Sequence, residues 1–193
     1  MRPTAWPLLV LALLLAPSES EAQGFLGLEA TVGYAGWSSD DFEGFQAGPR
    51  FQLGLFAKSR PSLAFGVTGT LGLVDLQDLE GDVTELGLAG TLRRSVGSPD
   101  GTHLCLLARA GWSRLAVDIP TATFDLTTDG FSVGPGAALS FPLGSGLHAS
   151  FGGDLEWHSY RDLRLEFGSN GTDAGASGWR WNARAGLSLG VGP

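Results

Sequence analysis

Glu156, His158 and Ser159 bring a carboxylate, an imidazole and a hydroxyl together along a short stretch of chain. Such a trio could cleave an ester if nucleophile and base came within hydrogen-bond reach. On a strand, successive side chains point to opposite faces. Adjacent His158 and Ser159 therefore diverge. The trio reads as rim residues with local partners, and no catalytic residue is assigned. A second possible chemistry lies in Asp40, Asp41, Glu43, Asp75, Asp78, Glu80, Asp82, Asp118, Asp125, Asp129, Asp162, Glu166 and Asp173. These carboxylates could bind divalent cations, but no spacing among them matches a calcium loop. They read as a solvated acidic surface, with no metal site and no cofactor.

A third set consists of Glu29, Arg50, Glu85, Arg93, Arg109, Asp154, Glu156, Arg180 and Arg184. Each stands singly among Gly, Ser and Thr, on the polar side of an alternating segment. The five Arg nearly balance the four carboxylates. An uncompensated buried charge costs about 3–5 kcal/mol, so enclosed charges of this kind must pair. Asp154 and Arg184 fall at similar depth with the same parity, as do His158 and Arg180. An Asp154–Arg184 contact is expected, with Glu156 nearby.

The segments that position these residues alternate with period two, the signature of strands. From Gly178 to Val191, Trp179, Trp181, Ala183, Ala185, Leu187, Leu189 and Val191 form one face, and Arg180, Asn182, Arg184, Gly186, Ser188 and Gly190 the other. The same two-sided pattern recurs over Phe25–Trp37, Phe45–Lys58, Leu63–Val74, Val83–Ser95, His103–Arg114, Phe131–Leu143 and Leu147–Tyr160. Eight strands follow. Short turns (Ser59–Ser62, Ser95–Gly101, Gly144–Gly146) alternate with longer connections (Ser38–Gly44, Asp75–Asp82, Leu115–Gly130, Arg161–Ser177), so the two ends of the domain differ.

Composition narrows the class. The chain has 193 residues, a formal net charge of −8, 30 Gly, 6 Trp and one lysine, Lys58. The acidic balance argues against a nucleic-acid partner. A shortage of Lys is unusual for a soluble surface. Cys105 is the single cysteine, which excludes an intrachain disulfide and reads as a packed small residue. Residues 1–22 have the form of a secretory signal: Arg2, an apolar run from Trp6 to Ala16, and small residues before a cleavage expected after Ala22. Residues 23–193 form the folded domain.

The apolar face of every strand is Leu, Val, Phe, Ala and Trp, and the opposite face is small and sparsely charged. A soluble barrel would need the reverse. The small polar face suits the cramped inside of a narrow barrel, and the apolar face suits hydrocarbon. Closure satisfies every backbone polar group, the condition for strands in lipid. Tyr34, Trp37, Trp112, Trp157, Trp179 and Trp181, with Tyr160, Phe45 and Phe131, lie near strand ends beside the longer connections, as an aromatic belt at the headgroup level would.

Leader, strand number, alternation and loop asymmetry together resemble the small eight-stranded outer-membrane barrels of the outer-membrane protein A and X type, over about Phe25 to Val191. The resemblance implies an all-β, antiparallel, up-and-down transmembrane barrel in the outer membrane of a diderm bacterium, surrounded by lipid and lipopolysaccharide. One departure stands out: such barrels usually end in an aromatic residue, whereas Val191 holds the nearest equivalent place here. No periplasmic domain is expected after the barrel. Related barrels include lipid A deacylases, in whose pattern His and Ser lie two apart on the lipid-facing side; adjacent His158 and Ser159 depart from it.

The expected function is non-enzymatic: a barrel plugged by ion pairs, with a structural or surface-interaction role through its acidic loops and a possible ligand there. The alternatives are a lipid A-modifying enzyme and a secreted, lipocalin-like soluble barrel. Oligomeric state is not legible.

Overall fold

The structure, a computed structural model, describes residues 25–60, 62–76, 81–98, 101–118, 126–167 and 170–191. The expected leader and its cleavage site lie outside them. So do the loop acids Asp78, Glu80 and Asp125, and the side chains of Asp162, Glu166 and Asp173.

Eight strands close into one barrel in chain order: β1 (Phe25–Ser38), β2 (Gly48–Arg60), β3 (Leu63–Asp75), β4 (Asp82–Val96), β5 (His103–Asp118), β6 (Leu126–Gly144), β7 (Leu147–Phe167) and β8 (Asn170–Val191). Every neighbouring pair is antiparallel, and β8 pairs with both β7 and β1. Closure leaves no edge strand, so each ladder finds its partners within the sheet. No helix among the described residues is long and apolar enough to cross a membrane, which says nothing of a crossing made by strands.

Burial follows the two-residue period. Leu26, Leu53, Leu55 and Phe151 are 62%, 59%, 61% and 59% exposed on the outer wall. Glu29, Arg50, Glu85, Arg109, Asp154, Glu156, Arg180 and Arg184 are buried inside. The barrel is apolar without and polar within.

Three element boundaries differ from expectation. β2 starts at Gly48, not Phe45: Phe45 makes an isolated bridge to Leu76 and packs inward beside Phe42. The segments 115–118 and 126–130 extend the β5–β6 ladder, where the sequence suggested a loop. The segment 161–177 is largely ladder as well, with Leu163 opposite Ala174 and Phe167 opposite Asn170. Leu163, Leu165 and Phe167 do alternate, but Gly168–Ser–Asn–Gly171 drew the whole stretch into a loop reading.

Space inside is made by glycine. The β6–β7 ladder pairs Val133 with Trp157 and then resumes with Gly136 opposite Asp154, passing over Gly134 and Pro135. Pro135 has no N–H to donate. A Cβ on Gly134 would stand 2.6 Å from Glu156 Cα and closer still to the Leu155 carbonyl oxygen, so backbone would have to move. Gly134→Val is expected to lower stability by about 1–3 kcal/mol through overpacking, read as a lower denaturation midpoint of the detergent-folded barrel. An unchanged midpoint would show that β6 and β7 part freely there.

Candidate functional site

The charged interior residues form one continuous chain of ion pairs. Arg180 pairs with Glu85 through Nη1 and Oε2. Glu85 lies 3.9 Å from Arg50, which reaches Glu156 at 2.8 Å. Glu156 is 3.6 Å from Arg109, and Arg109 is 3.1 Å from Asp154. Asp154 meets Arg184 at 3.1 Å, Arg184 lies 3.9 Å from Glu29, and Glu29 pairs with Arg93. Base and acid alternate from end to end, so every carboxylate stands between two guanidinium groups. Six of the eight strands contribute one or two of these groups each, β3 and β6 none, and closure of the barrel brings them together. All nine charges singled out from the sequence lie in this chain, including the Asp154–Arg184 contact.

Uncharged donors and acceptors fill in around it. Asn182 Nδ2 donates to Asp154 Oδ2 at 2.8 Å, and Arg184 Nη1 donates to Gln52 Oε1 at 3.0 Å. The Thr68 and Thr91 hydroxyls are 3.1 Å apart. A cavity of about 10 Å³ beside Arg50, Glu85, Arg109 and Glu156 is the size of one water.

His158 sits inside the barrel, and the β7–β8 register places it opposite Gly178; Arg180 stands opposite Glu156 instead. His158 Nε2 lies 3.4 Å from Glu156 Oε2, and Nδ1 lies 3.1 Å from the Tyr160 hydroxyl. Ser113 Oγ donates to that hydroxyl at 3.2 Å and stands 3.4 Å from His158 Nδ1. A serine, a histidine and a carboxylate thus meet, but the serine is Ser113, not Ser159. All three are buried behind the barrel wall. The tyrosine hydroxyl is the nearer partner of Nδ1, and no lipid-facing pair is formed.

Above this network the mouth at the long-loop end is stoppered. Residues Asp40–Phe42 form a single 3-10 turn that folds back over the mouth. It is tied down by Ser177 N donating to Asp41 Oδ2 at 2.8 Å and Ser39 Oγ donating to the Ser177 carbonyl at 3.3 Å. Phe42 inserts among Val74, Val83, Leu115, Val117, Tyr160 and Ala176. Trp37 stacks on Phe42 with ring centroids 3.9 Å apart, meets His158 edge-on at 4.9 Å, and lies 5.3 Å from the Arg180 guanidinium.

This corrects the placement of Trp37 in the outer belt, and with it Phe45 and Tyr160. Trp37 shares the inward parity of Glu29, Thr31 and Ala35. The parity signal was present, and closeness to a strand end outweighed it. Tyr34, Trp112, Trp179 and Trp181 are exposed on the outer wall, Trp157 is half-buried on the same face, and Phe131 is exposed beside Trp112. Phe42 carries no sequence signal, because it lies in an acidic loop.

On the outer rim beyond the belt, Arg114 grips Asp129 bidentately at 2.8 and 3.0 Å and lies over Trp112. These hydrogen bonds hold the Asp129 carboxyl below its ordinary range. The Arg114 charge is met by a carboxylate of the neighbouring strand.

Solved structures superpose on this architecture. Neisserial surface protein A matches with a TM-score of 0.59 at 14% identity, over 89% of this chain and 99% of that one. A major outer membrane protein from Thermus thermophilus matches with a TM-score of 0.52 at 12% identity, over 87% and 99%. The fold is that of a small outer-membrane barrel. No protein-family model matches the chain, and no curated protein does. Below the stopper and the ion-pair chain, a cavity of mixed lining lies at the short-turn end. That cavity has a volume of about 80 Å³ and is lined by residues that include Lys58, Ser95, His103, Ser140 and His148.

Proposed function

We infer that the chain is an integral, non-enzymatic barrel of the outer membrane of a diderm bacterium, its interior closed to ions and its interactions made at the long-loop end. The observation that carries this reading is the alternating ion-pair chain beneath an apolar stopper, enclosed by a wall of exposed Leu, Val, Phe and Trp. The middle of an eight-stranded lumen is narrow enough for side chains to fill, and here those side chains are paired. With the short turns on the periplasmic side, the loop end faces outward. It presents exposed Asp40, Asp41, Glu43, Asp75, Asp82 and Asp118 to the lipopolysaccharide layer, where divalent cations can bridge them to phosphate.

The two alternatives find less support. A lipid A hydrolase needs a nucleophile and base on the lipid-facing wall, and His158 is inside. A lipocalin-like barrel needs an apolar lumen, and this lumen holds the charges.

Two measurements test the reading. Membrane fractionation should place the protein in the outer membrane with heat-modifiable gel mobility. Planar bilayers containing the purified barrel should show no large steady currents. A soluble periplasmic protein without a mobility shift would remove the membrane assignment; steady conductance would remove the closed interior.

A further inference from the structure

The cavity at the short-turn end has no part in the reading above. Its lining brings together two of the chain's three histidines from different strands, His103 on β5 and His148 on β7, across β6. Their ring centroids are 5.7 Å apart and their planes 73° from parallel. A first-row metal bonded at about 2.0–2.1 Å to each ring nitrogen sits about 3.2 Å from each ring centre, so two imidazoles on one ion are about 5.2 Å apart at the tetrahedral angle and about 6.4 Å when linear. The observed separation falls between those limits.

The tautomer of His103 suits the same purpose. Its Nδ1 lies 2.9 Å from the Gly101 carbonyl oxygen. A carbonyl only accepts, so Nδ1 carries a proton, and Nε2 is the nitrogen left to meet a metal. This backbone anchoring of the remote nitrogen is the arrangement that orients metal-binding histidines. Around the pair, Ser95 and Ser140 can hydrogen-bond metal-bound water. Two cations, Lys58 and Arg93, also line the cavity; Arg93 is engaged by Glu29 and by the Phe56 ring, 5.0 Å away. Cys105 also lines the cavity, with its Sγ 3.9 Å from Ser95 Oγ, and the described residues hold no group of three His, Cys, Asp or Glu placed for a metal. The remaining positions would belong to water, and imidazole with water favours copper, nickel or zinc over calcium or magnesium.

We propose that His103 and His148 form an open two-histidine site for a borderline divalent cation, entered from the short-turn mouth of the barrel. The site needs only the folded barrel, so it stands or falls separately from the function proposed above.

The test uses tag-free full-length chain folded in detergent, with Cu²⁺ alone as the probe and heat-modifiable mobility as the check on folding. One copper per barrel is expected, with coupling to two imidazole nitrogens in the electron paramagnetic resonance spectrum. His103→Gln and His148→Gln should each remove one nitrogen and weaken binding at least tenfold. A Cys105→Ser background, which removes thiol oxidation, should bind as before, whereas Asp40→Asn/Asp41→Asn should change nothing. No binding by the folded barrel, an oxygen-only spectrum, or undiminished affinity in either histidine variant would overturn the proposal.

Discussion

Glu156→Ala is expected to destabilise the folded barrel by about 3–5 kcal/mol, the range for removing one partner of a buried ion pair. Glu156 meets Arg50 at 2.8 Å, Arg109 at 3.6 Å and His158 at 3.4 Å, so its loss leaves three basic groups facing one another. Glu156→Gln keeps the shape and removes only the charge, and most of the penalty should persist. A contrasting outcome is expected at the end of the chain. There, Glu85→Leu alone strands the fully enclosed Arg180, while Glu85→Leu with Arg180→Leu removes both charges and should recover much of the loss. Denaturant midpoints of the detergent-folded proteins measure all four variants. If Glu156→Ala matched the parent, water must already solvate the interior, and the chain of pairs would not be what closes it.

Phe42→Ala should lower stability by about 3 kcal/mol, at the low end for emptying a buried phenylalanine site. The ring is 3% exposed, stacks on Trp37, meets Phe45 and Tyr160 edge-on, and belongs to a cluster drawn from five strands, so no single neighbour can collapse into the space. The substitution also separates stopper from plug. If the ion-pair chain closes the lumen, Phe42→Ala remains silent in planar bilayers although its mouth is open. Steady current in that variant would assign closure to the aromatic stopper. Tryptophan emission should shift to the red, and a Trp37→Phe background should abolish the change.

Much of this architecture was legible in the alternation of the strands. Parity alone separates Leu53 from Gln52 and Leu187 from Arg184, and it assigns all nine interior charges to one side. It does not reveal which charges meet. Arg109 pairs with Asp154 across one intervening strand, and Arg180 with Glu85 across the barrel's lumen, separations fixed by closure and stagger. Trp37 shows the opposite failure: its parity was correct, and its position near a strand end was misleading. Phe42 was not legible at all, because its burial depends on a loop folding back to meet Ser177. The His103–His148 approach was hidden for the same reason as the ion pairs, since β6 lies between them.

The strands grow in length around the wall, from 13 residues in β2 and β3 to 16 in β5, 21 in β7 and 22 in β8. At about 3.3 Å per residue and a tilt of about 40°, the extra residues of β7 and β8 add roughly 20 Å of height on one side. The short turns keep the lower ends level, so this difference is spent at the upper rim. Among the described residues, the rim therefore rises like a parapet on the β7–β8 side of the barrel.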